Sequence, residues 1–355
     1  MKFLRILLFP FSILYGLLVL LRNKLYDWGI FSSTEFDIPI ISVGNLSVGG
    51  TGKTPHIEYL IRLLGSEFSV ATLSRGYGRK TKGFVLADTQ SGVTDIGDEP
   101  LQFKTKFNDV LVAVDENRVR GVIKTIALLP SVKTILLDDA FQHRAIKPGL
   151  SVVLTDFSKL YLNDRMMPTG SLREFGSGIK RADILIVTKC PEVFLPIDRK
   201  RLITEIAPLP NQNIYFSKIK YGKFILVGNK ALNILSKEEY FKQNYSIVLL
   251  TGIANAQPLE NYLKENVKNV VPVKFPDHHK FTINDLLSVK KIFDNIASTN
   301  KVLLTTEKDT MRLKEPAFSA ILNTLPFFYI PIEIEFTDGD EIKFNEQILN
   351  YVRTN

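Results

Sequence analysis

Ile40-Ile41-Ser42-Val43-Gly44-Asn45-Leu46-Ser47-Val48-Gly49-Gly50-Thr51-Gly52-Lys53-Thr54-Pro55 is the stretch around which the chain is organised. A short β-branched apolar run enters a glycine-rich turn, and Gly52-Lys53-Thr54 opens an expected helix. This is the layout of a Walker A loop. The backbone N–H groups of Gly49, Gly50, Thr51, Gly52, Lys53 and Thr54 would wrap the phosphates of a nucleotide. Lys53 would reach the outer phosphates, and the Thr54 hydroxyl would ligate Mg²⁺. One position departs from the G-x-x-x-x-G-K-T spacing, since its first glycine falls on Ser47. The bland alternative is a glycine-rich turn with a chance Gly-Lys-Thr, and the strand in front of the loop weighs against it.

Outward from this stretch, apolar runs recur at α/β spacing: 38–43, 69–73, 110–114, 134–138, 152–156 and 184–188. Amphipathic segments such as 56–64 and 116–128 separate several of them. Such alternation predicts a mostly parallel sheet with helices on its faces. A second set of runs, at 246–250, 270–273 and 301–305, predicts a second, smaller α/β unit. The expected organisation is therefore α/β: a P-loop NTPase-like domain over 26–220, a smaller α/β domain over 221–355, and an apolar N-terminal helix over 1–25.

Ligands of parallel sheets sit at the carboxyl ends of the strands, and polar clusters follow several runs there. Ile135-Leu136-Leu137-Asp138-Asp139 reads as Walker B, an apolar strand ending in carboxylates that hold Mg²⁺ directly or through water. His143 and Arg144 lie just beyond it. Arg75-Gly76-Tyr77-Gly78-Arg79 offers two guanidinium groups suited to a phosphate. In Gly97-Asp98-Glu99-Pro100, adjacent carboxylates on an extended backbone would diverge, one facing a metal and the other an incoming hydroxyl. An acidic helix start is the plain alternative. Gly170-Ser171-Leu172-Arg173-Glu174 reads only as a loop. His278 and His279 would diverge too, so a shared metal is not expected, and either one orienting a carboxylate is the better fit. Lys308 and Asp309 could approach a nucleotide.

Hydrophobic content of 45% and 23% charged residues describe a globular chain. The single cysteine, Cys190, excludes an internal disulfide framework and any multi-cysteine metal site. A net charge of +8 favours anionic partners. No nucleic-acid-binding signature accompanies it, so nucleic acid is not an expected partner. Residues 6–21 are apolar apart from Pro10, Ser12 and Gly16, and Lys2, Arg5, Arg22 and Lys24 flank them. As a helix this stretch is roughly 24 Å long against a hydrocarbon core of roughly 30 Å. Pro10 would interrupt its first turns. An interfacial anchor, a marginal span and a buried helix all remain open. Tyr26 and Trp28 favour the interface.

Taken in order, these segments resemble the tetraacyldisaccharide 4′-kinase (lipid A 4′-kinase) family across nearly the whole chain. The resemblance rests on Val43-Gly44-Asn45 with Gly49–Pro55, Ser74–Gly78, Gly97–Pro100, Asp138–Arg144, Gly170–Glu174, Gly252-Ile253-Ala254, Phe275–His279 and Thr305–Asp309. It implies ATP- and Mg²⁺-dependent phosphorylation of the 4′-hydroxyl of a tetraacylated glucosamine disaccharide 1-phosphate. The setting it implies is the cytoplasmic face of a bacterial inner membrane. It also implies two α/β domains joined by a two-stranded linker, with ATP between them. On this reading Lys53 holds the phosphates, and Thr54, Glu99, Asp138 and Asp139 hold Mg²⁺. Asp98 is the base and His278 its partner. Arg75, Arg79, His143, Arg144 and Arg173 are candidates for binding the substrate. The rival expectation is a membrane-associated ATPase or GTPase, which leaves Asp98-Glu99 and His278-His279 without a role. A soluble small-molecule kinase is a third.

Overall fold

The computed structural model describes residues 2–227 and 234–355, with side chains from Leu7 onward. The flanking side chains of Lys2 and Arg5 therefore lie outside the described residues. The chain forms two compact units, Met1–Ile219 with Ile334–Asn355, and Lys220–Glu333.

In chain order the first strands are β1 (Ile40–Asn45), β2 (Val70–Ser74), β3 (Val85–Leu86), β4 (Leu111–Val114), β5 (Thr134–Asp138), β6 (Leu150–Asp156), β7 (Ile184–Thr188) and β8 (Asn213–Tyr221). Among them run α1 (Lys2–Asp27), α2 (Lys53–Gly65), α3 (Val93–Ile96), α4 (Asp98–Lys106), α5 (Arg118–Leu128) and α6 (Pro196–Ile206). The smaller unit holds β9 (Ile225–Leu226), β10 (Ser246–Thr251), β11 (Val270–Lys274), β12 (Lys301–Thr306) and β13 (Phe327–Ile330). Its helices are α7 (Lys237–Lys242), α8 (Gln257–Asn266), α9 (Ile283–Asp294), α10 (Glu307–Leu313) and α11 (Ser319–Leu322). The chain then returns through β14 (Ile332–Phe336) to α12 (Asp340–Thr354).

Among the described residues the larger unit carries a nine-stranded sheet of order β14-β8-β7-β6-β1-β5-β2-β4-β3. Strands β1, β2 and β4 to β8 pair in parallel, and β3 joins β4 antiparallel at one edge. The strand that feeds the glycine loop lies deep inside the sheet, between β5 and β6, with every residue buried. On one face Ile57, Leu60, Phe103 and Phe344 share a core that joins α2, α4 and α12 to the sheet. Other cores hold α6 (Leu202, Ile206) and α5 (Val122). The smaller unit has a five-stranded sheet of order β11-β10-β12-β13-β9, parallel except for β9.

Three sequence expectations change. The smaller unit does not run to the C-terminus, because Ile334–Asn355 return to the larger one. Ile334, Phe336, Phe344, Ile348 and Val352 bury their apolar side chains there with Tyr215. Pro10 does not interrupt α1, which continues past it; a proline removes one helical donor but does not compel the helix to end. Asp98 and Glu99 lie in the first turn of a helix rather than on extended backbone, so helical rotation sets their directions.

Candidate active site

Between β1 and α2 the backbone reverses through positions that only glycine adopts without strain. Gly49 has φ +123° and Gly52 has φ +91°. The loop is held from beneath. Asn45 Nδ2 donates to Thr51 Oγ1 at 2.9 Å, and Thr188 Oγ1 donates to the Thr51 carbonyl at 2.9 Å. His56 Nδ1 lies 2.7 Å from the Gly52 carbonyl and its Nε2 lies 3.1 Å from Ser217 Oγ. The ring therefore donates through Nδ1 to the loop and accepts from Ser217. Burial pushes His56 down to about 4, which keeps it neutral. Amides at the start of α2 make an anion site of this end. Lys53 Nζ sits beside it, 3.3 Å from Asn45 Oδ1 and 3.6 Å from Asp139 Oδ1.

β5 delivers the adjacent carboxylates to this loop, since Asp138 pairs with Val43 of β1. Their environments differ. Asp138 is buried, and burial together with Glu99 and Asp139 raises it to about 7 against the pull of Lys53 and Arg118. Ser74 Oγ donates to its Oδ2 at 3.3 Å, while its Oδ1 is buried without a hydrogen-bond partner among the described residues. Asp139, at φ +48°, accepts from Arg173 Nη1 at 2.7 Å. Burial opposes its charge, but Lys53 and Arg173 hold it below the usual carboxylate range. One carboxylate is thus paired with cations, and the other lacks a cation for its inner oxygen. That orphaned oxygen suits a small divalent ion. Among the described residues no three His, Cys, Asp or Glu side chains form a ready-made metal cluster. Mg²⁺ bound by one or two carboxylates with phosphate and water needs none.

Asp98 and Glu99 open α4 behind Gly97, whose φ of +93° sets the turn. Asp98 is buried, and its Oδ1 accepts the Glu99 N–H at 3.0 Å. The basic candidates separate into two groups. Exposed Arg75 leaves the end of β2, and its charge, with that of buried Arg118, adds to burial in lowering His143 to about 4. Arg79 is instead a staple, bonded to the Gly83 carbonyl at 2.7 Å and to Glu116 at 2.6 Å. Arg144 is engaged with α1 through the Asn23 carbonyl at 2.7 Å and Asp27 at 2.8 Å. Both guanidinium groups are thus engaged within the protein's own network, unlike exposed Arg75.

The segment that sequence left as a plain loop is the junction of the site. Arg173 N–H donates to the Leu46 carbonyl at 2.8 Å, and Val48 N–H donates to the Ser171 carbonyl at 2.7 Å. Helix α1 docks on the same segment. Ser12 Oγ donates to Thr169 Oγ1 at 2.9 Å, and Tyr15 OH donates to the Arg173 carbonyl at 3.0 Å. Glu174 accepts from Asn23, Gln142 and Arg181 within 3.0 Å. Another face of α1 is bare: Leu7, Phe11, Leu14, Leu18 and Leu21 are each more than half exposed. Leu7–Asp27 is long and apolar enough to cross a membrane by length and composition. Sequence reasoning missed Arg118, Gln142 and Glu174 as site-building residues. Their polar character was visible, but partners remote in sequence give no local signal.

In the smaller unit the adjacent histidines have unlike surroundings. His279 Nε2 donates to Asp285 Oδ2, 3.0 Å away, and the ring stacks on Phe275 with ring centroids 4.7 Å apart. His278 adopts φ +55° in the turn, and its N–H donates to the Gly252 carbonyl at 3.1 Å. Asp309 is buried, accepting from Gly252 N–H at 3.1 Å and Thr306 Oγ1 at 2.7 Å. It shapes the turn that presents His278.

Comparison with known proteins shows the family. The tetraacyldisaccharide-1-P 4′-kinase family model matches residues 4–353. The tetraacyldisaccharide 4′-kinase of Bacteroides thetaiotaomicron is 45% identical, over 98% of this chain and 93% of its own length. That of Flavobacterium johnsoniae is also 45% identical, over 100% and 99%. Among solved structures, the "apo" form of LpxK from Aquifex aeolicus in complex with ATP aligns with a TM-score of 0.73 at 26% identity. It covers 98% of this chain and 99% of that one. The chain belongs to the tetraacyldisaccharide-1-P 4′-kinase family.

Proposed function

We propose that the chain transfers the γ-phosphoryl group of ATP to the 4′-hydroxyl of a tetraacylated glucosamine disaccharide 1-phosphate. Its place of action is the cytoplasmic face of the bacterial inner membrane. The observation that carries this is the position of Arg173. Its guanidinium binds Asp139 beside Lys53, and its carbonyl binds Tyr15 of an apolar, largely exposed helix. A phosphate-binding loop and a lipid-facing element thus meet at one residue.

In this reading Lys53 and the amides of Gly49–Thr54 hold the β- and γ-phosphates. Thr54, Glu99 and Asp138 would hold Mg²⁺, with Asp139 kept to Lys53 and Arg173. When bound, the ion neutralises charge on the phosphates during transfer. Asp98 accepts the proton of the sugar hydroxyl as the oxygen attacks. His278 is the further catalytic candidate, since His279 is packed on Phe275 and bonded to Asp285. Arg75, Arg79, His143, Arg144 and Arg173 are the candidates for the lipid's phosphate and the transferring group, with exposed Arg75 and Asp139-bound Arg173 foremost. With one face pinned by Ser12, Tyr15 and Asn23, α1 is suited to lie in the bilayer surface rather than cross it. A crystal structure with Mg²⁺ and a non-hydrolysable ATP analogue tests the site. The expected result is phosphates in the Gly49–Thr54 loop and the ion at Asp138. An ion held by Asp139 alone would overturn the assignment.

A further inference from the structure

Helix α2 carries a polar stripe that is buried at its middle. Thr54, Glu58 and Arg62 recur every four residues and so share one face. Helix α4 carries a matching stripe of Asp98, Gln102 and Lys106. The stripes meet at Glu58. Its side chain is fully buried, with one oxygen accepting from Gln102 Nε2 at 2.7 Å. The other accepts from Lys106 Nζ at 2.7 Å and Arg62 Nη2 at 3.3 Å. Phe103, also fully buried, packs with Ile57, Leu60 and Ile61 in the surrounding core.

A buried carboxylate is costly unless charge and hydrogen bonds compensate it, and here most of the compensation comes from the neighbouring helix. Apolar packing alone leaves two helices able to slide; bonds to one buried group fix their axial register. Glu58 lies one turn after Thr54, and Gln102 lies one turn after Asp98, so each is roughly 6 Å along its helix from a functional residue. We propose that Glu58 is a positioning residue: it sets α4 against α2 and thereby places Asp98 and Glu99 relative to Lys53 and Thr54. The proposal rests on Asp98 acting as the base.

The test compares kcat, KM for ATP and thermal stability in Glu58→Gln, Glu58→Leu and Lys106→Met, with Asp98→Ala as the control. A displacement near 1 Å can cost about 100-fold in rate. Glu58→Leu should therefore lose about 10- to 100-fold in kcat, with KM for ATP within about twofold of wild type. Glu58→Gln, which keeps the shape and part of the bonding, should recover most of that loss. Lys106→Met leaves Glu58 in place, guards against a misfolded Glu58→Leu, and should show a smaller loss in kcat alone. Should Glu58→Leu and Lys106→Met keep wild-type kcat while melting earlier and Asp98→Ala is impaired, the residue is structural only and the proposal falls. Near-full kcat in Asp98→Ala would instead remove the base assignment, and the proposal with it.

Discussion

Tyr15 of the N-terminal helix donates its hydroxyl hydrogen to the backbone carbonyl of Arg173 at 3.0 Å, and Arg173 in turn holds Asp139 at 2.7 Å. Two hydrogen bonds therefore separate an exposed apolar helix from the carboxylate next to Lys53. The helix is part of the wall of the site, not an appendage to it.

That relationship separates anchoring from local bonding. Removing residues 1–25 should abolish co-flotation of the protein with anionic phospholipid vesicles. Tyr15→Phe keeps the exposed apolar face and loses one hydrogen bond, so it should float normally while losing about 1 kcal/mol of stability. Normal flotation after the deletion would contradict the assignment of α1.

Gly97 sits at φ +93°, and a Cβ there would lie 2.8 Å from the Tyr77 carbonyl oxygen. Backbone strain of this kind costs roughly 1–3 kcal/mol. Gly97→Ala should lower the unfolding free energy by that order in urea titration. It should also lower kcat, because Asp98 is the next residue.

The site chemistry predicts two different kinetic losses. Asp98→Ala should lower kcat by roughly 10²–10⁴ with ATP affinity nearly unchanged. Lys53→Met should cost roughly 10²–10³ in kcat and weaken ATP binding as well, since the lysine serves both ground and transition states. Single-turnover rates and equilibrium nucleotide titration would separate them.

Stability should carry the mark of the buried histidine under the loop. His56 falls from 6.5 to about 4 on folding through burial, and His143 falls to about 4 through burial with Arg118 and Arg75. Below pH 6.5 the unfolded chain binds protons that the folded chain refuses. The stability these neutral rings lend is complete above pH 6.5 and drains away as pH falls toward 4. Asp138 acts in the opposite sense: raised from 3.8 to about 7, its contribution is lost as pH rises through that window. Comparing wild type with His56→Gln isolates one group. The stability gap between them should shrink by on the order of 3 kcal/mol between pH 6.5 and 4. A gap that stays constant in urea titrations would contradict the assignment.

Much of the larger unit was legible from residue pattern. Buried parallel strands are continuous apolar runs, and those at 134–138 and 184–188 coincide with β5 and β7. The loop was legible because Gly49 and Gly52 must take positive φ. What escaped depends on distant partners. Ile334 and Phe336 join the large sheet only because the unit inserted before them returns the chain there. The division of labour between Asp138 and Asp139 depends on Arg173, and nothing local in the sequence distinguishes one from the other. Arg79 and Arg144 are equivalent to Arg75 as basic groups in sequence, and only the structure shows that Glu116 and Asp27 pair with them.

The γ-phosphoryl group of ATP should go to a lipid hydroxyl. The direct test gives the purified full chain γ-labelled ATP, Mg²⁺ and tetraacyldisaccharide 1-phosphate in detergent. Label should appear in the lipid as a monoester at the 4′ position, dependent on Asp98. Label released only as inorganic phosphate, at the same rate with and without the lipid, would contradict lipid phosphorylation and describe an ATPase instead.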